Sequence, residues 1–396
     1  MNLARPSSRS IRKILFLSHL GFIVSGVLTV MLGPTLPALA ARWSLNDSQA
    51  GNFFIAQFLG LLAGVVASSF VIPRRGFRSS FVIAFLAMGL GAATLGRGSW
   101  SLALGSLFLL GIGNGWLSAA TNLWVGEAIS EGTAGALSLV NFSWTLGAVA
   151  CPFLFDFFRP PQGMLRLLLA LGIFSALLAA AFAASHVDSI HVSQATAAAD
   201  PVGGTLCADR YAAMFILLFF LYIGAETGLG GWLGAYSHRA VPSATTWILT
   251  PSFFWVGMLV GRGSVPLVLR RVREKALVQS CAIVAVAGVA ILIRSQTLAT
   301  IFASALICGL GCSAIFPLLF RWLSAHYRVQ ARRAAGLMIA AGELGAALLP
   351  WLIGVTSSRF GELRYGLALL FIAFSGVFAL VSIYPAARHR GSTPSP

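Results

Sequence analysis

Twelve apolar runs, each long enough to cross a bilayer and parted only by short turns, succeed one another from Ile14 to Ala386. A hydrocarbon core about 30 Å thick takes roughly 20 helical residues, which places spans at about 14–40, 48–72, 79–97, 101–129, 133–158, 164–185, 210–238, 244–269, 276–293, 297–326, 333–358 and 364–386. No soluble domain carries such a surface: 58% of the 396 residues are hydrophobic, 10% are charged, and mean hydropathy is +0.86. A soluble enzyme is excluded. The runs lack the period-two alternation of a barrel strand, so the expected fold class is an all-α membrane protein embedded in the lipid bilayer.

Lys and Arg exceed Asp and Glu by 27 to 11, a balance that in a soluble chain would suggest nucleic acid. Here the basic residues occupy the turns. With the N-terminus inside, inner segments hold 17 of them and outer segments hold 8, which predicts both termini in the cytoplasm and no nucleic-acid partner. Ala38-Leu39-Ala40 looks like a signal-peptide cleavage site, but the preceding stretch is too long and eleven more spans follow. Cys151, Cys207, Cys281, Cys308 and Cys312 include no Cys-x-x-Cys pair and mostly fall inside spans, so no metal site and no disulfide frame is expected. No Gly-x-Ser-x-Gly elbow, His-Glu-x-x-His or Walker sequence occurs. The expectation is neither an enzyme nor a cofactor-dependent protein.

The chain repeats. Leu146-Gly147-Ala148 with Pro152 recurs as Leu344-Gly345-Ala346 with Pro350, and Gly111-Ile112-Gly113 recurs as Gly309-Leu310-Gly311, both offset by 198 residues. Six spans, an even number, separate the copies, so the repeats are parallel and related by an axis along the membrane normal. That is the arrangement of major facilitator superfamily transporters. Three segments follow: a six-helix bundle over 1–185, a polar cytoplasmic linker over 186–209, and a second bundle over 210–396. The expected fold is twelve transmembrane helices in two parallel six-helix repeats, with a site between halves that is exposed alternately to each side.

A carboxylate at mid-bilayer costs about 2.5–3.5 kcal/mol on insertion scales, so acids inside spans are functional candidates. Glu226 lies midway along span 7 and Glu343 near mid-depth in span 11; both are candidate proton-coupling acids. Among Phe219, Phe220, Ile223 and Leu229, the Glu226 carboxyl is suited to take a proton from one side and release it to the other. Glu343 has a second reading, pairing with Arg262 in span 8 or Arg321 in span 10. Glu127, at the inner end of span 4, faces the loop that carries Arg74 and Arg75. These three, with Arg262, are candidate gate residues. Asn114, Ser118 and Thr121 or Asn122 make a polar stripe on span 4; Asn141 and Trp144 share a face of span 5, Tyr222 and Glu226 one of span 7, and Trp255 and Arg262 one of span 8. Amides with Trp faces suit a polyol, whose hydroxyls seek donors and acceptors while its C–H face packs on an aromatic plate. Candidate substrate-binding residues are therefore Gln57, Asn114, Asn122, Asn141, Trp144, Tyr222 and Trp255, set against interhelical hydrogen bonding and interface anchoring.

Over its whole length the chain resembles the major facilitator superfamily. Tyr222-Ile-Gly224-Ala-Glu226-Thr-Gly228-Leu-Gly230-Gly231-Trp232 is similar to the seventh span of the fucose-permease-like sugar carriers. Phe254-Trp255-x-Gly257 with Gly261-Arg262 resembles their eighth span, and Phe316-Pro317 their tenth. The resemblance adds Trp232 to the substrate-binding candidates. It implies a monomeric secondary transporter of the inner (plasma) membrane, by proton-coupled symport of a monosaccharide or similar small polar solute. The sequence departs from the pattern in two places. Pro73 stands where the loop between spans 2 and 3 normally has Asp, and span 1 has no carboxylate, although this branch often has one there. Glu226 or Glu343 then substitutes for it, or the protein is a uniporter. A proton-driven exporter of drugs or sugars is the competing transport reading, and a carrier-fold sensor is disfavoured because the tails are short.

Overall fold

The computed structural model describes residues 8–129, 132–159, 161–185, 187 and 209–384. The linker expected at 186–209 lies outside the described residues except for Val187 and Asp209. In chain order the helices are α1 (Ser8–Val30), α2 (Leu32–Arg42), α3 (Asp47–Thr94), α4 (Trp100–Ala128), α5 (Thr133–Phe157), α6 (Gln162–Ala183), α7 (Arg210–Ala240), α8 (Thr250–Val268), α9 (Glu274–Leu292), α10 (Leu298–Cys312), α11 (Ile315–Tyr327), α12 (Ala331–Phe360), α13 (Leu363–Leu367) and α14 (Leu369–Ile383). No strand occurs among the described residues. Among the described residues, eleven stretches are long and apolar enough to span a membrane. One of them, α3, is two spans fused at Gly76, whose φ of 75° bends the chain where a turn was expected. Twelve crossings result, and the chain returns to the face on which α1 starts, called here the terminal face; the opposite face is distal.

Polar side chains at the turns satisfy the first amides of the helices. Asn46 and Gln49 form a reciprocal capping box at α3, and Ser99, Asp209 and Thr297 accept from backbone amides at the starts of α4, α7 and α10. Phe16, Phe157, Leu177, Ile372 and Ile383 remain exposed on the outer faces, where lipid covers them.

Close packing follows the sequence repeat. A Cβ on Gly111 would strike the Gln57 carbonyl, and one on Gly309 the Phe254 carbonyl. Gly113 lies against Met88 as Gly311 lies against Ala285, and Gly147 against the Ile23 carbonyl as Gly345 lies against that of Phe220. Each pair is again offset by 198 residues, so the same glycines bring the same helices together in both halves.

Three spans expected to be continuous are broken, span 12 at Ala368 between α13 and α14. Span 1 interrupts at Met31, because Pro34 and Pro37 supply no N–H to the carbonyls of Val30 and Gly33. Span 10 interrupts after Cys312, where Pro317 likewise leaves the Ser313 carbonyl without its helical donor.

Candidate functional site

A cavity of about 320 Å³ lies between the halves, walled by spans 1, 2, 4 and 5 on one side and 7, 8, 10 and 11 on the other. Its polar groups are few and concentrated. Asn114 is 3% exposed, and both its amide nitrogen and its amide oxygen lack a hydrogen-bond partner. A buried amide left in that condition costs about 1–3 kcal/mol per group, a penalty that a ligand hydroxyl removes. Asn141, on α5, gives its Nδ2 hydrogen to the Leu137 carbonyl (2.8 Å), leaving its oxygen to the cavity. Trp144 and Trp255 meet edge to face across the two halves, centroids 5.7 Å apart at 82°, and the Trp255 indole nitrogen has no partner. An amide with both roles open beside an indole wall is a surface for a neutral, hydroxyl-rich solute.

Glu226, Glu343 and Arg262 line the same cavity. The helices bearing the two acids pack closely: Gly224 of α7 abuts Gly345 of α12, and Ile223 fills the space over Gly342. No ion pair within 4.0 Å joins Arg262 to either acid, and the Arg262 Nε is buried without a partner. Arg321, the alternative partner for Glu343, is engaged elsewhere: it pairs with Glu274 at 3.0 Å, and the Trp322 indole donates to the same carboxylate at 2.7 Å.

Several expected substrate contacts have other positions. Gln57 is fully buried and donates its Nε2 hydrogens to the carbonyls of Thr29 (2.8 Å) and Leu28 (3.4 Å), bracing span 1 just before its break. Tyr222, also buried, donates to the Cys312 carbonyl (2.8 Å) at the break in span 10. The Trp232 indole donates to the Pro350 carbonyl (2.9 Å) and packs against Phe54. Asn122 is exposed on α4, beyond the cavity wall. These polar ends serve helix junctions, where carbonyls are available to accept.

The expected gate divides in the same way. Arg262 belongs to the cavity. Arg74 is exposed and donates to the Phe70 carbonyl, Arg75 is exposed, and Glu127 is half-buried in the last turn of α4.

What closes the protein lies on the distal face, among residues that sequence reasoning missed. Asp47, at the start of α3, receives both terminal nitrogens of Arg239 from the end of α7, the Nη1–Oδ2 distance being 2.7 Å, and the Ser357 hydroxyl of α12 donates to the same carboxylate. Ser48 N–H donates to Ser358 Oγ (2.8 Å), and Ser252 Oγ to the Val149 carbonyl (3.3 Å). Gly33 and Gly234 let α2 and α7 touch at backbone distance. On the terminal side, among the described residues, no extensive packing joins α4 to α11 or α12, and the lining residue Asn141 is exposed. The cavity is closed distally and opens toward the terminal face. An available signal was the lone acid in the first turn of span 2 opposite the Arg that ends span 7.

Residues 19–297 match the family model described as Major Facilitator Superfamily. Among sequence relatives, the glucose/mannose transporter GlcP of Bacillus subtilis (strain 168) is 25% identical over 350 residues, covering 84% of this chain and 85% of that protein. Among solved structures, the E. coli fucose:proton symporter FucP superposes with a TM-score of 0.63 at 17% identity, covering 95% of this chain and 99% of that one. A D-xylose-proton symporter superposes with a TM-score of 0.74 at 16% identity, covering 94% and 97%.

Proposed function

The chain belongs to the major facilitator superfamily, and on that footing we propose that it is a secondary transporter that moves a monosaccharide, or a similar small polar solute, in symport with a proton by alternating access. The observation that carries the reading is the unpartnered Asn114 amide beside the Trp144–Trp255 wall, in a closed-ended cavity that also holds two carboxyl groups. The amide offers both a donor and an acceptor to hydroxyls, the indoles take the C–H face of a ring, and Glu226 and Glu343 supply the exchangeable proton. The name of the relative GlcP and the titles of the two symporter structures support the same substrate class and coupling ion.

The excess of Lys and Arg at the terminal-face turns favours a cytoplasmic terminal face in the plasma membrane. The bundles 1–185 and 210–396, joined by 186–209, then rock about the cavity, and the distally closed arrangement is the inward-facing state. Uptake of labelled D-glucose, D-mannose, D-galactose, L-fucose and D-xylose into proteoliposomes tests this, with an inside-alkaline, inside-negative gradient switched on and off. One charge crossing 100 mV is worth about 2.3 kcal/mol, so a single proton supports roughly 50-fold accumulation. Accumulation of one of the sugars only while the proton gradient is present is the expected result. Accumulation driven by a sodium gradient alone would replace the coupling ion, and neither accumulation nor exchange of any sugar would overturn the reading.

A further inference from the structure

We propose that the two turns joining spans 2 to 3 and 8 to 9 each hold the headgroup of an anionic phospholipid on the terminal face, the first through Arg74 and Arg75 and the second through Arg270, Arg271 and Arg273. Neither turn contributes to the cavity wall, so these sites stand whatever solute the cavity carries. Arg74 and Arg75, expected at a gate, acquire a partner outside the protein.

All five residues are exposed, and among the described residues none has a carboxylate within 4.0 Å. Arg74 reaches only the Phe70 carbonyl of its own helix (3.4 Å). Nearby charges of the same face are spent inside the protein. Glu274, the residue after Arg273, turns inward to Arg321 (3.0 Å) and the Trp322 indole (2.7 Å), and Lys275 donates to the carbonyls of Ser382 (2.8 Å) and Tyr384 (2.7 Å). Asp209 is taken by Tyr211 N–H, His326 and Tyr327. Pro73 and Leu269 precede the two Arg pairs, so no acid stands before either. Adjacent guanidinium groups repel one another, and an anion from outside relieves that repulsion; their planar forks match the paired oxygens of a phosphate.

What adjoins the arginines selects a lipid over a soluble phosphate. On α3, Val66 and Phe70 are 50% and 58% exposed, and Arg74 follows at the next four-residue step on the same helix face. On α8, Val260 and Leu267 are 59% and 61% exposed. The Val272 N–H bonds the Val268 carbonyl (2.9 Å), which carries the helical turn past the end of α8 and sets Arg271 four residues beyond Leu267. In each half an outward apolar column thus ends in an outward cation. An acyl chain lies along such a column while its phosphate meets the arginines at the foot, and a net negative headgroup is favoured because a zwitterionic one brings its own cation. The device is duplicated: Arg74-Arg75 recurs as Arg270-Arg271, 196 residues later.

Native mass spectrometry of the purified full-length protein, delipidated and then titrated with dioleoylphosphatidylglycerol or dioleoylphosphatidylcholine, tests the assignment. Two tightly held phosphatidylglycerol molecules are expected, with no comparable retention of phosphatidylcholine. A basic residue at a membrane surface strengthens association with anionic lipid by roughly 5-fold. R270Q/R271Q/R273Q should therefore weaken one of the two lipids by about 100-fold, and R74Q/R75Q the other by about 25-fold. R97Q/R359Q, which removes two exposed distal cations, should bind as wild type does. The replaced side chains are exposed, so melting temperatures in detergent alone should match wild type, and phosphatidylglycerol should raise them less where arginines have been removed. Equal retention of the two lipids by wild type, unchanged phosphatidylglycerol binding in either terminal-face variant, or an equal loss in R97Q/R359Q would overturn the proposal. Displacement of the lipid by glycerol 3-phosphate at the same concentration would overturn it in favour of a soluble phosphate ester.

Discussion

Neutralising Asp47 should open the distal face. In D47N the side chain keeps its shape but loses the charge that accepts two guanidinium hydrogen bonds and the Ser357 hydroxyl. A hydrogen bond to a charged group contributes about 1.5–3 kcal/mol. The pair is only partly shielded, Asp47 being 10% and Arg239 48% exposed, so screening removes part of that. A net loss of about 1.5–2 kcal/mol from the distally closed state shifts its population against the open one by roughly 10- to 30-fold. Double electron–electron resonance reads this shift from spin labels at R97C and Q296C, two exposed distal positions in different halves. The described cysteines are buried and resist labelling; Cys207 is replaced by Ser. The variant should gain a long-distance population at the expense of the short one, while R359Q, which removes an exposed distal charge outside the cluster, should leave the distribution in place. An unchanged distribution in D47N would refute the view that this cluster holds the distal face shut.

Asn114→Leu removes two unpartnered buried polar atoms, so thermal stability should hold or rise while KM increases about 5- to 150-fold, the equivalent of 1–3 kcal/mol of ligand hydrogen bonds; an unchanged KM would remove Asn114 from the site. Gln57→Leu should leave KM unaltered, because its Nε2 braces the Thr29 carbonyl of span 1 and the residue stands outside the cavity wall, as uptake on the same preparation would show. Partial burial favours the neutral form of Asp209, yet hydrogen bonds from Tyr211 N–H, Tyr327 OH and the His326 ring outweigh it and hold the carboxyl below its ordinary value. A depressed folded-state pKa gives stability that is present above the unfolded value of about 3.9 and lost as pH falls through the folded one. Asp209→Asn should therefore melt earlier at neutral pH, with the gap to wild type closing in acid; a gap that persists there would contradict this.

The architecture was legible because lipid imposes a local rule on every span and the repeat imposes a second. Apolar length located the crossings, and the glycines at offset 198 recur as the same interhelical contacts. Asn114, Asn141, Trp144, Trp255, Glu226, Glu343 and Arg262 were found because polar atoms inside spans are rare, and all seven line the cavity. The same rarity also singled out Gln57, Tyr222 and Trp232, which do not line the cavity. Polarity marks a residue as costly to bury without saying whether a solute or a neighbouring carbonyl satisfies it, and here the carbonyls beside broken or proline-bearing helices do so. The Asp47–Arg239 pair escaped because its partners stand 192 residues apart at span ends, where charges are ordinary and only the packing of α3, α7 and α12 brings them together.

The central claim is that solute and proton cross together through this one cavity. Proteoliposomes loaded with a pH-sensitive dye and held without any imposed gradient test it most directly. A sugar pulse that enters through the protein should acidify the lumen, and the E226Q/E343Q double variant, which lacks both cavity carboxyls, should exchange the same sugar with no pH change. Sugar entry through the wild-type protein without acidification would contradict the account.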